Sequence, residues 1–215
     1  MKTLLTFFVI LIFGLIISIF GFWLFDFDAR VRDNASLQIS SLGGNMEVYI
    51  DGKPSGVIKD TQSKIDIYNL KPGLHNVKLN RLNVGVEYFS YETDINLVNS
   101  LSASINYELG PTIESSQGWV LDYAPSVETA SKLKIYFDKD AQVEVKRNDQ
   151  VINYENSKES VYTYPLELDS EYIIVIQKDG YIKQEINIST KLSNKLGKND
   201  IILRTKLFEI PINLK

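Results

Sequence analysis

A chain of 215 residues with a formal charge of −4 and an isoelectric point near 5.2 has no basic excess, which excludes the electrostatic footprint of a nucleic-acid binder. It has no Cys and a single His, so a disulfide scaffold, thiol catalysis and the usual zinc centres are closed to it. Twelve Tyr and ten Phe among abundant Ile and Val favour strands.

The first element is an apolar run from Leu4 to Phe25, uncharged throughout and interrupted only by Thr6, Gly14, Ser18 and Gly21. At ~1.5 Å per helical residue it reaches roughly 33 Å, enough for a hydrocarbon layer of ~30 Å. It exceeds the apolar core of a cleaved signal and leaves through Phe22-Trp23-Leu24-Phe25 rather than a small-x-small site. The sequence therefore predicts an anchor helix bounded by Leu4 at one end and by Trp23 and Phe25 at the other, with Asp26 and Asp28 stopping the span. Lys2 on one side nearly balances Arg30 and Arg32 on the other. The export behaviour of first apolar segments then places a short N-terminus in the cytoplasm and the remaining chain outside it, on the cell membrane. No basic stripe adjoins the span to hold anionic lipid.

Beyond the anchor, apolar and polar residues alternate in Leu37-Gln38-Ile39, Val48-Tyr49-Ile50, Ile65-Asp66-Ile67, Val77-Lys78-Leu79, Ile95-Asn96-Leu97 and Ile105-Asn106-Tyr107. That period places one face of each strand in a core. Gly43-Gly44-Asn45, Asp51-Gly52-Lys53-Pro54 and Lys71-Pro72-Gly73 supply turns between them. The second half repeats this order: Leu133 to Phe137 opens it, Val143-Glu144-Val145 answers Val48-Tyr49-Ile50, and Asn148-Asp149 answers Asp51-Gly52. Leu168 to Tyr172 aligns with Leu70 to Leu74, and Glu185-Ile186-Asn187-Ile188 with Asp94-Ile95-Asn96-Leu97. The expected organisation is an anchor over 1–28, a β-sandwich over 35–109, a linker over 110–131 that lacks a clear period, and a second β-sandwich over 132–215.

Val48-Tyr49-Ile50-Asp51-Gly52-Lys53 followed by Leu70-Lys71-Pro72-Gly73-Leu74-His75-Asn76-Val77 resembles the PEGA domain, and Tyr172 to Val175 with Lys178-Asp179-Gly180-Tyr181 resembles its closing hairpin. Where that family places Pro-Glu-Gly-Ala, this chain has Gly43-Gly44-Asn45-Met46 and Asp138-Lys139-Asp140-Ala141. The resemblance implies two small surface-exposed binding or spacer modules and no catalytic residues.

The chemistry-bearing motifs are sparse. His75, after a Pro-Gly turn, has no second imidazole or thiol for zinc and reads as structural. The pairs Asp26/Asp28 and Asp138/Asp140 lack a calcium loop around them and read as turn carboxylates. Ser131-Lys132-Leu133-Lys134 matches Ser-x-x-Lys but opens a strand, and no nucleophile elbow, phosphate loop or zincin helix is present. Neither a metal nor a cofactor is expected. Rigid aromatic rings are the remaining binding candidates: Tyr88, Phe89, Tyr91, Trp119, Tyr123, Tyr162, Tyr164 and Tyr181. Packing within and between sheets competes with binding for each of them, and at Trp119 and Tyr123 with packing across the module junction. The reading that results is a non-catalytic membrane-anchored scaffold displaying two modules to a cell-envelope protein or polysaccharide. An accessory subunit associating through its span, or an envelope hydrolase, are the alternatives.

Overall fold

The computed structural model describes residues 34–41, 45–59, 61–82, 89–112, 115–128, 130–138, 140–158, 160–191 and 196–209. The expected anchor, with Leu4, Trp23 and Phe25, lies outside the described residues, as does Tyr88. Among the described residues no helix is long and apolar enough to cross a membrane. The chain is mainly β and forms several sheets.

The first half contains β1 (Ala35–Ser40), β2 (Met46–Ile50), β3 (Lys53–Ile58), β4 (Lys64–Leu70), β5 (Gly73–Arg81), β6 (Tyr91–Leu97) and β7 (Ser102–Glu108). Then comes β8 (Gln117–Pro125). The second half contains β9 (Lys132–Tyr136), β10 (Gln142–Arg147), β11 (Gln150–Ile152), β12 (Asn156–Lys158), β13 (Val161–Pro165), β14 (Glu171–Gln177), β15 (Tyr181–Ile182), β16 (Gln184–Ser189), β17 (Asn199–Lys206) and β18 (Phe208–Glu209).

Alternation in the sequence becomes alternation in burial. In β1, Ala35, Leu37 and Ile39 are buried while Ser36, Gln38 and Ser40 are half-exposed, and β2 and β7 behave likewise. β1 lies between antiparallel β4 and parallel β7, β2 joins β3 and β5, and β5 joins β6. The same connections recur later: β9 lies between antiparallel β13 and parallel β17, β10 joins β11 and β14, and β14 joins β16.

Turns fix which residues correspond. Ile50 pairs with Lys53 around Asp51-Gly52, and Arg147 with Gln150 around Asn148-Asp149, all four turn residues having positive φ. Val48 is therefore equivalent to Val145, and Val77, opposite Ile50, to Tyr172, opposite Arg147. The sequence pairing of Leu74 with Tyr172 is displaced because the connection from β13 to β14 is longer than that from β4 to β5. The match of Asp94-Ile95-Asn96-Leu97 with Glu185-Ile186-Asn187-Ile188 is displaced too, since Thr93 faces Val77 where Ile188 faces Tyr172.

Among the described residues β8 has no counterpart in the other half, and it corrects the expected linker. It pairs antiparallel with β7 on one side and with β17 on the other, joining both halves into one eight-stranded sheet, β12-β13-β9-β17-β8-β7-β1-β4. Two four-stranded sheets accompany it, β3-β2-β5-β6 and β11-β10-β14-β16, with a short β15-β18 ribbon.

The register places the two cores on opposite faces of the long sheet. Val120 lies beside Ile105, which shares a face with the buried Ile39 and so belongs to the first core. Leu121 and Tyr123 lie beside Leu203 and Ile201, whose neighbours Ile135 and Leu133 belong to the second. A strand covered on both faces shows no apolar–polar alternation, which is why the sequence read this stretch as a linker. Each fully buried aliphatic side chain there contributes about 1.5–3 kcal/mol.

At the start of β8, Gly118 has φ +152, and a Cβ there would lie 2.0 Å from the Asn106 carbonyl oxygen and 2.7 Å from Tyr107 Cα. The clash is with backbone of β7, which cannot swing aside as a side chain can. Gly118→Ala is expected to lower stability by at least about 3 kcal/mol in urea unfolding, at the upper end of overpacking and strain costs. Gly52→Ala, in a turn with no atom within 4 Å of the new methyl, is expected to cost only about 1 kcal/mol.

Candidate functional site

β6 ends the sheet β3-β2-β5-β6 and so presents unpaired backbone groups along one side. Side chains from the long sheet occupy them. Asp122 of β8 accepts from Asn96 N–H at 3.2 Å through Oδ2, and Arg204 Nη2 of β17 donates to the Asp94 carbonyl at 3.0 Å and to Asp122 Oδ2 at 2.9 Å. The Asn96 side-chain amide donates to the Tyr123 carbonyl at 2.7 Å. One ion pair thus ties an edge strand of the first half to the last long strand of the second. Burial pushes the Asp122 carboxyl above the usual range, against the pull of Arg204 and the Asn96 N–H.

The aromatic candidates fall into separate groups. Phe89 donates its N–H to the Gly110 carbonyl, and Tyr91 stacks on Tyr107 with ring centroids 3.7 Å apart. Burial raises the pKa of both tyrosines. Tyr123 is buried and bonds the Ser102 carbonyl at 3.1 Å, with its hydroxyl pushed up to about 12 by burial. Trp119 is half-buried against the core, on the same side of β8 as Tyr123. Tyr181 holds Lys178 Nζ 5.0 Å from its ring centroid.

The densest group is in the second half. Tyr164 is buried, Tyr162 lies 4.7 Å from Phe137, and Tyr154 stacks on Tyr162 at 4.5 Å and meets Tyr164 edge-on at 6.3 Å. Tyr154 itself is 48% exposed. It borders a groove of about 580 Å³ whose lining includes Gln142, Glu144, Lys146, Val151, Val175, Gln177 and Glu185. On the floor, Val175 lies between Glu144 and Glu185 on adjacent strands. Sequence reasoning missed Tyr154 because its stacking on Tyr162 depends on the fold.

The remaining motifs have structural partners. His75 Nε2 donates to the Lys71 carbonyl at 2.7 Å and Nδ1 lies 2.8 Å from Asp51 Oδ2, so the ring ties two turns together. That hydrogen bond, with a second from Asn76 N–H, holds the Asp51 carboxyl below its usual range. Lys134, of the Ser-x-x-Lys match, is ion-paired with buried Asp200 at 2.6 Å, while Ser131 turns to the Gly197 carbonyl. Burial raises Asp200, but hydrogen bonds from Lys134, Lys132 N–H and Ser126 together outweigh it and leave its pKa lowered. Asp138 accepts from Leu207 N–H at 2.9 Å and Asp140 takes positive φ in a turn. Among the described residues no three His, Cys, Asp or Glu side chains gather as metal ligands do.

Replacing Arg204 leaves Asp122 buried without its cation. Arg204→Ala is expected to cost about 1–3 kcal/mol at pH 7, less than a fully enclosed pair because Arg204 keeps contact with water. Asp122 has its folded pKa above its unfolded one, so the folded state takes up the proton first on acidification. The deficit of Arg204→Ala relative to the parent is therefore expected to shrink as pH falls through that raised value, measured by urea unfolding across an acid series.

No protein-family model matches the chain, and no curated protein matches it. Among solved structures, the Bacillus anthracis TIE protein aligns over 83% of this chain at 12% sequence identity and a TM-score of 0.29. This chain covers 34% of that protein's length.

Proposed function

We propose that this chain is a membrane-anchored scaffold of the cell envelope, which holds a partner on its β body rather than transforming a substrate. The observation that carries the proposal is one uncharged run, Leu4 to Phe25, placed ahead of a body built from strands. On this reading the run crosses the membrane once, the N-terminus stays in the cytoplasm, and the body projects outside. The two halves are read as tandem PEGA-like sandwiches, a reading supported by the recurrence of one pattern of strand pairing in both.

Binding rather than catalysis is supported by how the buried acids are placed. Asp122 and Asp200 each face a cation, Arg204 and Lys134. The open groove beside Tyr154 offers instead an exposed ring held rigid by stacking, with mixed polar side chains around an apolar floor. Such rings contribute contact area at low entropic cost, and the partner they hold is an envelope protein or wall polysaccharide.

Protease added to intact cells is expected to digest the β body, and full protection would place it in the cytoplasm and end the proposal. In pull-downs from envelope extracts with the full-length chain, Tyr154→Ala is expected to weaken partner recovery by about tenfold or more, equivalent to ~1.4 kcal/mol. Undiminished recovery would remove the groove from the interface.

A further inference from the structure

The eight-stranded sheet ends differently in its two halves. In the second half, β13 pairs with β9 on one side and with β12 on the other. Its equivalent β4 pairs with β1, and among the described residues nothing pairs with its other side. In the fold's own second copy, the equivalent edge carries a short antiparallel strand.

The hydrogen-bonding phase shows what β4 presents there. Ser41 N–H donates to the Ser63 carbonyl at 3.0 Å, in register with the pairing of Ile39 with Ile65 and Leu37 with Ile67. Those odd-numbered residues exchange bonds with β1, so the N–H and C=O groups of Lys64 and Asp66 point away from it. A register shift between Ala35 and Leu37, with Asn69 at positive φ, ends the regular stretch after Ile67.

We propose that this edge is a self-association surface, on which β4 of a second copy adds antiparallel across a two-fold axis. Registers centred on a residue keep apolar residues on the same face in both copies, and those centred on Ile65, Asp66 and Ile67 overlap most of the strand. Centring on Asp66 sets like charges opposite each other, and centring on Ile67 runs into the irregular stretch at Asn69 and Leu70. Centring on Ile65 stays within the regular strand and sets Lys64 of each copy opposite Asp66 of the other, two complementary pairs flanking an Ile65–Ile65 contact. Asp66 already lies on the outward face, where its Oδ1 accepts from the Gln38 amide at 2.7 Å. The charge pattern therefore selects both the partner and the register.

The test uses the full-length chain in detergent, with mass measured by sedimentation and folding checked by circular dichroism. The parent is expected to sediment as a dimer. Asp66→Lys is expected to convert it to monomer, and the swap Lys64→Asp with Asp66→Lys to restore the dimer. The chain has no cysteine of its own, so Ile65→Cys under mild oxidation is expected to give a covalent dimer, whereas Leu74→Cys, exposed on another strand, gives none. The cross-link provides a readout that does not depend on the charge variants folding. A monomeric parent, a dimer that survives Asp66→Lys, or equal cross-linking at Ile65→Cys and Leu74→Cys would each overturn the proposal.

Discussion

A strand hydrogen-bonded along both edges and covered on both faces cannot move without opening everything around it, and β8 is in that position. Its ladders to β7 and β17 carry the backbone from one half into the other. Val120 belongs to the core on one face, and Leu121 and Tyr123 to the core on the opposite face. Gly118 lets it start flush against β7, where any side chain would strike backbone. The Asp122–Arg204 pair extends the same join sideways onto β6, where it satisfies backbone groups that an edge strand leaves open.

What the sequence displayed, and what it hid, follows from this geometry. β1, β2 and β7 each have one wet and one dry face, so their alternation was legible, and Asp51-Gly52 marked its turn by its own chemistry. β8 was hidden because a doubly covered strand has no reason to alternate. β12 was hidden for a different reason: Asn156-Ser157-Lys158 carries no apolar residue, and its place in the sheet comes from pairing with β13. Residue-level equivalence between the halves failed where connection lengths differ, because similar tetrapeptides do not fix register while turns and pairing do.

The side-chain features were less legible still. Asp122 and Arg204 stand 82 residues apart, and nothing local to either announces the other. The tyrosines looked like one resource, yet folding assigns most of their area to packing, as in the Tyr91–Tyr107 stack and buried Tyr164, and leaves Tyr154 at a groove. Composition foretells how many rings a body has; the pleat decides which of them remain wet.

The unequal ends of the long sheet govern what kind of assembly the body can build. With β12 laid over β13, the second half's end of the long sheet is closed by a three-residue strand, whereas among the described residues the seven-residue β4 has no further neighbour. A sheet with two matching open ends polymerises head to tail without limit, whereas a sheet open at one end meets its own kind face to face and stops. On the proposed self-association, the three residues of β12 are what separate a finite pair from a fibre.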